Sequence, residues 1–183
     1  MAQTYKHSIW FFAGDETVTE FLSKFIIGGL LLCNNVLPEP EFRSQTHQMS
    51  WRKAHWGTTS DSIPVTLCSQ GFEFESDAWD FHVLLSALAA ADTTVDFQHK
   101  YASSDIGYSV GSFNYASGRL MLEKPVNNPE RFACSVWGID FGTYLEKRGT
   151  GEGIVSAKEV SKIVSSDEDY YDMMASILDS EDD

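Results

Sequence analysis

The sequence predicts an α+β fold of the ferredoxin-like kind, in which the order β-α-β-β-α-β builds one antiparallel sheet. An added C-terminal hairpin and a helical tail follow. Three observations predict this fold. Four short runs of branched or alternating apolar residues have the pattern of strands. Apolar residues at helical spacing lie between the first and second runs and between the third and fourth. Two further strand-like segments, 106–116 and 119–124, face each other across Ser117 and Gly118.

The first run, residues 6–13, is rich in aromatic and β-branched side chains, so it predicts a strand with Trp10 in the core. Thr17 and Glu20 then have the spacing of a capping box, which predicts the start of the first helix. Its apolar face is formed by Val18, Phe21, Leu22, Phe25 and Ile26.

The middle of the chain connects that helix to a hairpin. Two prolines make residues 36–41 an extended connector. The segment 42–56 is compatible with a helix that Gly57 ends. Residues 62–69 predict the second strand, and a tight turn at Gln70 and Gly71 leads to the third.

The third strand, 72–75, alternates phenylalanine with glutamate. A second helix is predicted at 79–91, capped by Ser76 or Asp77, and a fourth strand follows at 95–101. The predicted core of the two helices comprises Phe21, Leu22, Phe25, Leu84, Leu85 and Leu88.

The C-terminal part divides into two regions. Residues 130–148 are partly helical and apolar enough to pack on the sheet, which gives a domain of residues 1–148. Residues 149–183 then form a glycine linker and an acidic, amphipathic helical tail.

The composition limits the classes of function. The net charge of the 183 residues is −14, which disfavours direct nucleic-acid binding. No apolar run is long enough to span a membrane, and the N-terminus lacks the pattern of a signal peptide, so we expect a cytoplasmic protein. Cys33, Cys68 and Cys134 are expected to be buried free thiols.

The stretch Trp51–Trp79 carries a resemblance to a known family. Trp51, the segment His55-Trp56-Gly57-Thr58 and the pair Ala78-Trp79 resemble the YubB ferredoxin-like domain family of plasmid- and phage-borne proteins. The resemblance covers about residues 6–120. It implies a ferredoxin-like fold and an origin in a phage or plasmid, and hence the host cytoplasm as location.

The chain also departs from the family pattern. Thr59 and Ser60 stand where the family has Lys and Trp, and Asp80-Phe81-His82 stand where Ser-Pro-Pro is expected. The family brings no established catalytic residue, so the resemblance supports the fold and the setting but no chemistry.

The sequence contains no recognisable catalytic or cofactor motif. It lacks a nucleophile elbow, a phosphate-binding loop and zinc-ligand spacing. His55, His82 and His99 have no partner at ligand spacing in the sequence, and His82 is expected to be exposed. We therefore expect a non-enzymatic protein without cofactor or metal.

Two regions are candidates for partner binding. Trp51, Trp56 and Trp79 form either a binding platform or the closure of a hydrophobic core. The tail concentrates ten acidic residues and two lysines in residues 151–183, a net charge of −8 that leaves −6 for the rest. Its predicted contact residues are Asp167, Glu168, Asp169, Tyr170, Asp172, Met173, Met174, Ile177 and Leu178.

The leading hypothesis is a phage or plasmid accessory protein that binds a host protein with a basic groove and inhibits or modulates it. A defence factor or a nucleic-acid-handling factor would fit. One alternative is a small enzyme acting on nucleotides or RNA. Another is a structural homo-oligomer, assembled through the edge strand near Arg119 or through the tail.

Overall fold

The computed structural model describes residues 3–149 and residue 157. These residues form a mixed α+β fold with a six-stranded antiparallel sheet, a three-stranded sheet and six helices. The strands are β1 (Tyr5–Phe11), β2 (Ile26–Ile27), β3 (Leu30–Leu32), β4 (Ser62–Pro64), β5 (Thr66–Cys68), β6 (Gly71–Ser76), β7 (Phe97–Ser103), β8 (Val110–Ala116) and β9 (Arg119–Glu123). The helices are α1 (Asp15–Ser23), α2 (Cys33–Val36), α3 (Gln45–Trp56), α4 (His82–Ala91), α5 (Pro129–Trp137) and α6 (Phe141–Gly149).

The first strand lies in the middle of the large sheet. The strand order is β5-β6-β1-β7-β8-β9, and each neighbouring pair is antiparallel. Side chains alternate between the two faces along a strand. The odd-numbered residues of β1 and β7 therefore point to one face, called here the inner face, and the even-numbered residues to the outer face.

The inner face carries the main core. Helices α1 and α4 bury their apolar stripes together with the inward residues of the strands. Ring contacts join the layers; for example, Phe21 of α1 lies 5.6 Å from Phe11 of β1. The six residues predicted for the helical core are all buried, which confirms that prediction.

A second cluster covers one end of the outer face. Helix α5 packs Ala133 and Trp137 near Ala102 of β7, and the Trp137 indole donates a hydrogen bond to the Ser103 carbonyl at 3.0 Å. Ala157 is buried in the same cluster. The prediction that 130–148 is partly helical and packs on the sheet is confirmed. The other end of the outer face carries no helix among the described residues.

The small sheet was not predicted. Helix α1 ends at Ser23, and a hairpin turns at Gly28 and Gly29, whose φ angles are +60° and +77°. Positive φ at both central residues is the geometry of a two-residue hairpin, and glycine adopts it without a steric penalty. The sequence did not predict this hairpin, because the apolar residues keep helical spacing as far as Ile26 and so indicated a longer helix.

Several predicted boundaries were wrong for local reasons. The segment 62–69 is two strands, because the chain leaves the small sheet and joins the large one at Val65. Helix α1 begins before Thr17, so the predicted capping box does not form. Helix α4 begins at His82, whose amide donates to the Asp80 carboxylate at 3.1 Å, so neither predicted cap is used. The helix compatible with 42–56 is confirmed as α3, capped by Ser44.

Two predicted burials were also wrong. Trp10 is 44% exposed, because its even position on β1 points to the outer face. Cys68 is exposed on the edge strand β5, whereas Cys33 and Cys134 are buried; all three thiols are free. Among the described residues, no helix combines the length and apolar character needed to cross a membrane.

Candidate functional site

Two histidines that are far apart in sequence meet in the core. His7 of β1 and His99 of β7 both point to the inner face, and neither has solvent-exposed surface. The Nδ1 atom of His7 lies 3.0 Å from Nε2 of His99. Sequence reasoning assigned no partner to His99, because the pair is created by strand register, which is not visible as spacing along the chain.

A serine extends this pair into a line of three polar groups. Ser76 is the last residue of β6, and its Oγ lies 2.9 Å from Nε2 of His7. The order serine, histidine, histidine is that of a nucleophile, a base and a group that orients the base. Catalysis by this line would require Nε2 of His7 to accept the proton of the Ser76 hydroxyl.

The carbonyl of Ala78 decides this question. Its oxygen lies 3.0 Å from the same Nε2 atom of His7, and a carbonyl can only accept a hydrogen bond. Nε2 must therefore carry the proton, and it cannot act as a base toward Ser76. The Ser76 hydroxyl donates to the same Ala78 carbonyl.

The tautomer of His7 fixes that of His99. With its proton on Nε2, His7 presents a lone pair at Nδ1, which accepts from Nε2 of His99. The Nδ1 atom of His99 is then an acceptor, and it has no hydrogen-bond partner among the described residues. This arrangement supports a structural role for the line.

Burial keeps both imidazoles neutral. Desolvation lowers the pKa of His7 to about 3, although its hydrogen bond to Ala78 opposes the shift. Desolvation, and then the proximity of His7 and His82, hold the pKa of His99 well below its ordinary value. Rings of Phe74 and Phe81 flank His7 at 4.5 and 4.9 Å.

His82 occupies the edge of this cluster. It is half-buried rather than exposed as predicted, and its Nδ1 lies 2.8 Å from the Tyr115 hydroxyl. Burial lowers the pKa of His82, while the carboxylates of Asp80 and Glu123 raise it. The described residues contain no group of three or more His, Cys, Asp or Glu side chains placed to hold a metal ion.

The predicted tryptophan cluster separates into different environments. Trp56 has no exposed surface, and its indole donates to the Leu37 carbonyl at 2.9 Å, so it closes the core. Trp51 is half-buried and stacks on His55 at 4.2 Å. Trp79 is 44% exposed and lies instead against Tyr101. Of the three, Trp51 and Trp79 retain accessible surface.

The connector 36–41 is held by the same region. Arg52 of α3 makes a bidentate pair with Glu39 at 2.7 and 2.9 Å, and its guanidinium lies 4.9 Å from the centre of the Trp56 ring. The fork geometry of arginine suits this contact. Gln48 of α3 also donates to the Glu39 carboxylate at 2.9 Å, so the connector is fixed to α3 by an ion pair and by side-chain hydrogen bonds from Gln48 and Trp56.

The predicted contact residues of the tail lie outside the described residues. They are Asp167, Glu168, Asp169, Tyr170, Asp172, Met173, Met174, Ile177 and Leu178.

The small sheet carries an apolar surface that sequence reasoning missed. The register pairs Ile27 with Leu30, and Leu30 with Pro64, so these three residues share one face. Ile27 is 57% and Leu30 38% exposed, while Leu31 and Ile63 on the opposite face are buried. We call the group Ile27, Leu30 and Pro64 the small-sheet face. The Gly-Gly pair was the available signal, because it is typical of a hairpin.

An apolar groove lies on the other side of the small sheet, because Ile26, which lines it, pairs with Leu31 of the buried face. It runs between α1 and the edge strand β5 and has a volume of about 220 Å³. Leu67, 58% exposed, lines it together with Val18, Leu22 and Ile26. The amide of Val65 donates to the Gly29 carbonyl at 2.9 Å and so ties the hairpin to the start of β5. The small-sheet face and the groove are therefore two separate apolar surfaces, on either side of the small sheet.

Comparisons of the chain with protein-family models, curated proteins and solved structures found no match.

Proposed function

We propose that the chain is a binding protein with a ferredoxin-like domain, which acts by contacting a partner protein and not by catalysis. The order β5-β6-β1-β7, with α1 after β1 and α4 after β6, supports the ferredoxin-like part of this proposal. In that interpretation β8 and β9 are the added hairpin.

The observation that carries the binding function is the small-sheet face. Large apolar side chains grouped on a surface typically mark an interaction site. Ile27 and Leu30 are 57% and 38% exposed, and Pro64 beside Leu30 on the same face is exposed as well. When a partner removes such side chains from water, the free energy of the complex is lowered by about 25 cal/mol per Å² of apolar surface buried.

The enzyme alternative has less support. The line Ser76, His7 and His99 has the order of a catalytic triad, but it holds its central histidine in the tautomer that cannot receive the serine proton. The same line lies among aromatic side chains of the core.

The charge of the chain suggests the kind of partner. At a net charge of −14, the protein would be steered toward a basic surface. The resemblance of the Trp51–Trp79 stretch supports a host protein as the partner of a phage- or plasmid-encoded chain. The apolar face would supply residence time and the acidic residues the rate of encounter.

The experiment compares two double variants in a pull-down from host extract. Ile27→Ser with Leu30→Ser alters the small-sheet face, and Met121→Ser with Leu145→Ser alters two similarly exposed apolar residues elsewhere. The face variant should lose a partner that the control variant retains, measured by mass spectrometry and then by titration with the purified partner. Equal retention by both variants would contradict the proposal.

The tail is tested separately on the same partner. Neutralising Asp167, Glu168, Asp169 and Asp172 should slow association, with an effect that fades at high salt. Changing Met174 and Ile177 to Ser should speed dissociation. If neither changes the kinetics, Trp51 is the next predicted contact to substitute.

Self-association is the second candidate, because β9 is an edge strand of the large sheet. Sedimentation of the wild type as a dimer, and of the β9 variant Met121→Lys as a monomer, would identify a second copy of the chain as the partner.

A further inference from the structure

The exposed end of the outer face has an unusual composition, independent of the small-sheet face. Trp10 stands on the central strand and is 44% exposed, and Phe12, two positions further, is 59% exposed. The backbone amide of Phe12 donates to the Asp96 carbonyl at 2.9 Å, so the pairing with β7 continues through it. Both rings therefore belong to the outer face.

Polar side chains continue this surface across β7 and β8. The register places Trp10 beside Gln98 and Gln98 beside Asn114. The Gln98 amide donates to both Ser112 and Asn114 at 3.2 Å. An aromatic ring thus lies next to a row of amide and hydroxyl groups, which can donate and accept hydrogen bonds.

A basic groove borders the same row. It has a volume of about 410 Å³ and lies between the outer face and the N-terminal part of α5. Lys100, Lys124 and Arg131 line it, and the groove lining contains no acidic residue. Within the described part of the chain, none of these three cations forms a salt bridge. Arg131 lies over the Phe141 ring at 5.4 Å.

Distances in the sheet bring the ring and the cations together. Lys100 lies on the neighbouring strand β7, two residues along from Gln98, which is the residue opposite Trp10. This diagonal position corresponds to about 8 Å between the Cα atoms of Trp10 and Lys100. The Lys124 amide donates to the Ser112 carbonyl at 2.7 Å, which places Lys124 beside the next strand. On the other side of β1, Glu73 is paired with Lys6 at 2.8 Å and Glu75 is exposed. The anion-attracting side is therefore that of β7, β8 and α5.

We propose that this outer face binds single-stranded nucleic acid, with Trp10 stacking on a base and Lys100, Lys124 and Arg131 contacting phosphates. Stacking on an exposed aromatic ring beside a cationic groove is the general mode of single-strand recognition on sheets. The net charge of −14 opposes nucleic-acid binding as a whole-protein average, but three cations and no acidic residue line this groove, and the local field acts on a bound strand.

The experiment titrates full-length protein into fluorescent single strands of about 12 nucleotides, in separate DNA and RNA arms, with a duplex of the same length for comparison. Anisotropy should show binding of a single strand in at least one arm, more tightly than of the duplex. The arm with the tighter binding identifies whether DNA or RNA is the preferred ligand. Absence of binding in both arms, or equal binding of the duplex, would overturn the proposal.

A matched pair of tryptophans separates stacking from folding. Trp10 and Trp79 are both 44% exposed, but Trp79 contacts Tyr101 of the inner face. Trp10→Ser should weaken binding about tenfold or more, while Trp10→Phe keeps most of it and Trp79→Ser changes nothing. Equal affinities of the two serine variants would refute the role of Trp10. Thermal unfolding of each variant confirms that it is folded.

The cations are tested through the salt dependence. Three phosphate contacts give a slope of about −2 in a plot of log K against log salt between about 50 and 200 mM. Changing Lys100, Lys124 and Arg131 together to Gln should remove this slope, whereas Lys24→Gln with Arg43→Gln should retain it. If oligoglutamate binds with the same slope and the same dependence on Trp10, the groove is a site for acidic peptides and the proposal fails.

Discussion

His7 and His99 share one hydrogen bond of 3.0 Å in the core, although they are 92 positions apart in sequence. The bond requires His7 to be neutral, because its Nε2 carries the proton donated to Ala78 and its Nδ1 must keep the lone pair that accepts from His99. Burial holds the pKa of His99 well below its ordinary value, so the second ring is neutral as well. The pair therefore links the folded state to the pH of the solution.

The stability of the protein should decrease as the pH falls below about 6.5, the ordinary pKa of histidine. The pKa of His7 is lowered to about 3 in the folded state, so the unfolded chain binds more protons in this window. The free energy of unfolding should fall by up to about 1.4 kcal/mol per pH unit for each buried histidine. Urea unfolding between pH 7 and 4 measures this slope, with exposed His47→Gln as the control. A flat profile would mean that the pair is not neutral and buried.

Ser76 should be unreactive as a nucleophile. The proton on His7 Nε2 leaves no base for its hydroxyl, because that nitrogen and the hydroxyl both donate to the Ala78 carbonyl. A fluorophosphonate probe should therefore leave Ser76 unmodified, as read by mass spectrometry of its peptide. Labelling at Ser76 that disappears in a His7→Gln variant would restore the enzyme hypothesis.

Leu84→Ala should destabilise the domain by about 2–5 kcal/mol, because it opens a cavity where α4 packs on the sheet. Leu84 is 1% exposed, and its neighbour Val83 is 45% exposed. Val83→Ala should therefore change the free energy of unfolding by less than about 0.5 kcal/mol. Urea titration of both variants measures the difference. Similar values for the two would show that the stripe of α4 does not face the core.

Gly57→Ala should be more damaging than Gly138→Ala. Both glycines end a helix with φ near +70°, where an alanine costs about 1–3 kcal/mol in strain. A Cβ at Gly57 would also lie 2.6 Å from the Asp80 carbonyl oxygen, whereas nothing lies within 4 Å of one at Gly138. The difference between their melting temperatures isolates the steric contact between the end of α3 and the segment before α4. Equal values would contradict that contact.

Patterns within one segment predicted much of the large sheet. The apolar stripe of α4 and the alternation in β6 depend on neighbours along the chain, so the sequence displays them directly. The non-helical backbone of residues 37–41 followed from the two prolines in the same way, but Val36, predicted to begin the exposed connector, is buried as the last residue of α2. The sequence was only compatible with helix α3 and did not require it, because most of its residues are polar and show no apolar stripe. The caps at Ser44 and Gly57 define its ends.

Features set by pairing between segments could not be predicted. The face that Trp10 occupies depends on the register of β1 with β7, and a shift of one residue would reverse it. The His7–His99 pair depends on the same register. The small-sheet face required the chain to pass from β4 of the small sheet to β5 of the large sheet at Val65, and no residue type marks that change.

The central position of β1 has a consequence for synthesis of the chain. Its two neighbours, β6 and β7, end at Ser76 and Ser103, so the first strand made waits for almost a hundred further residues before both its edges are paired. At about 5–20 residues per second this delay is on the order of 5–20 seconds. During that time the aromatic segment 5–12 emerges from the ribosome unpaired, as a β-prone run without its sheet. Folding yield in the cell should therefore depend on what protects these residues until β7 is complete.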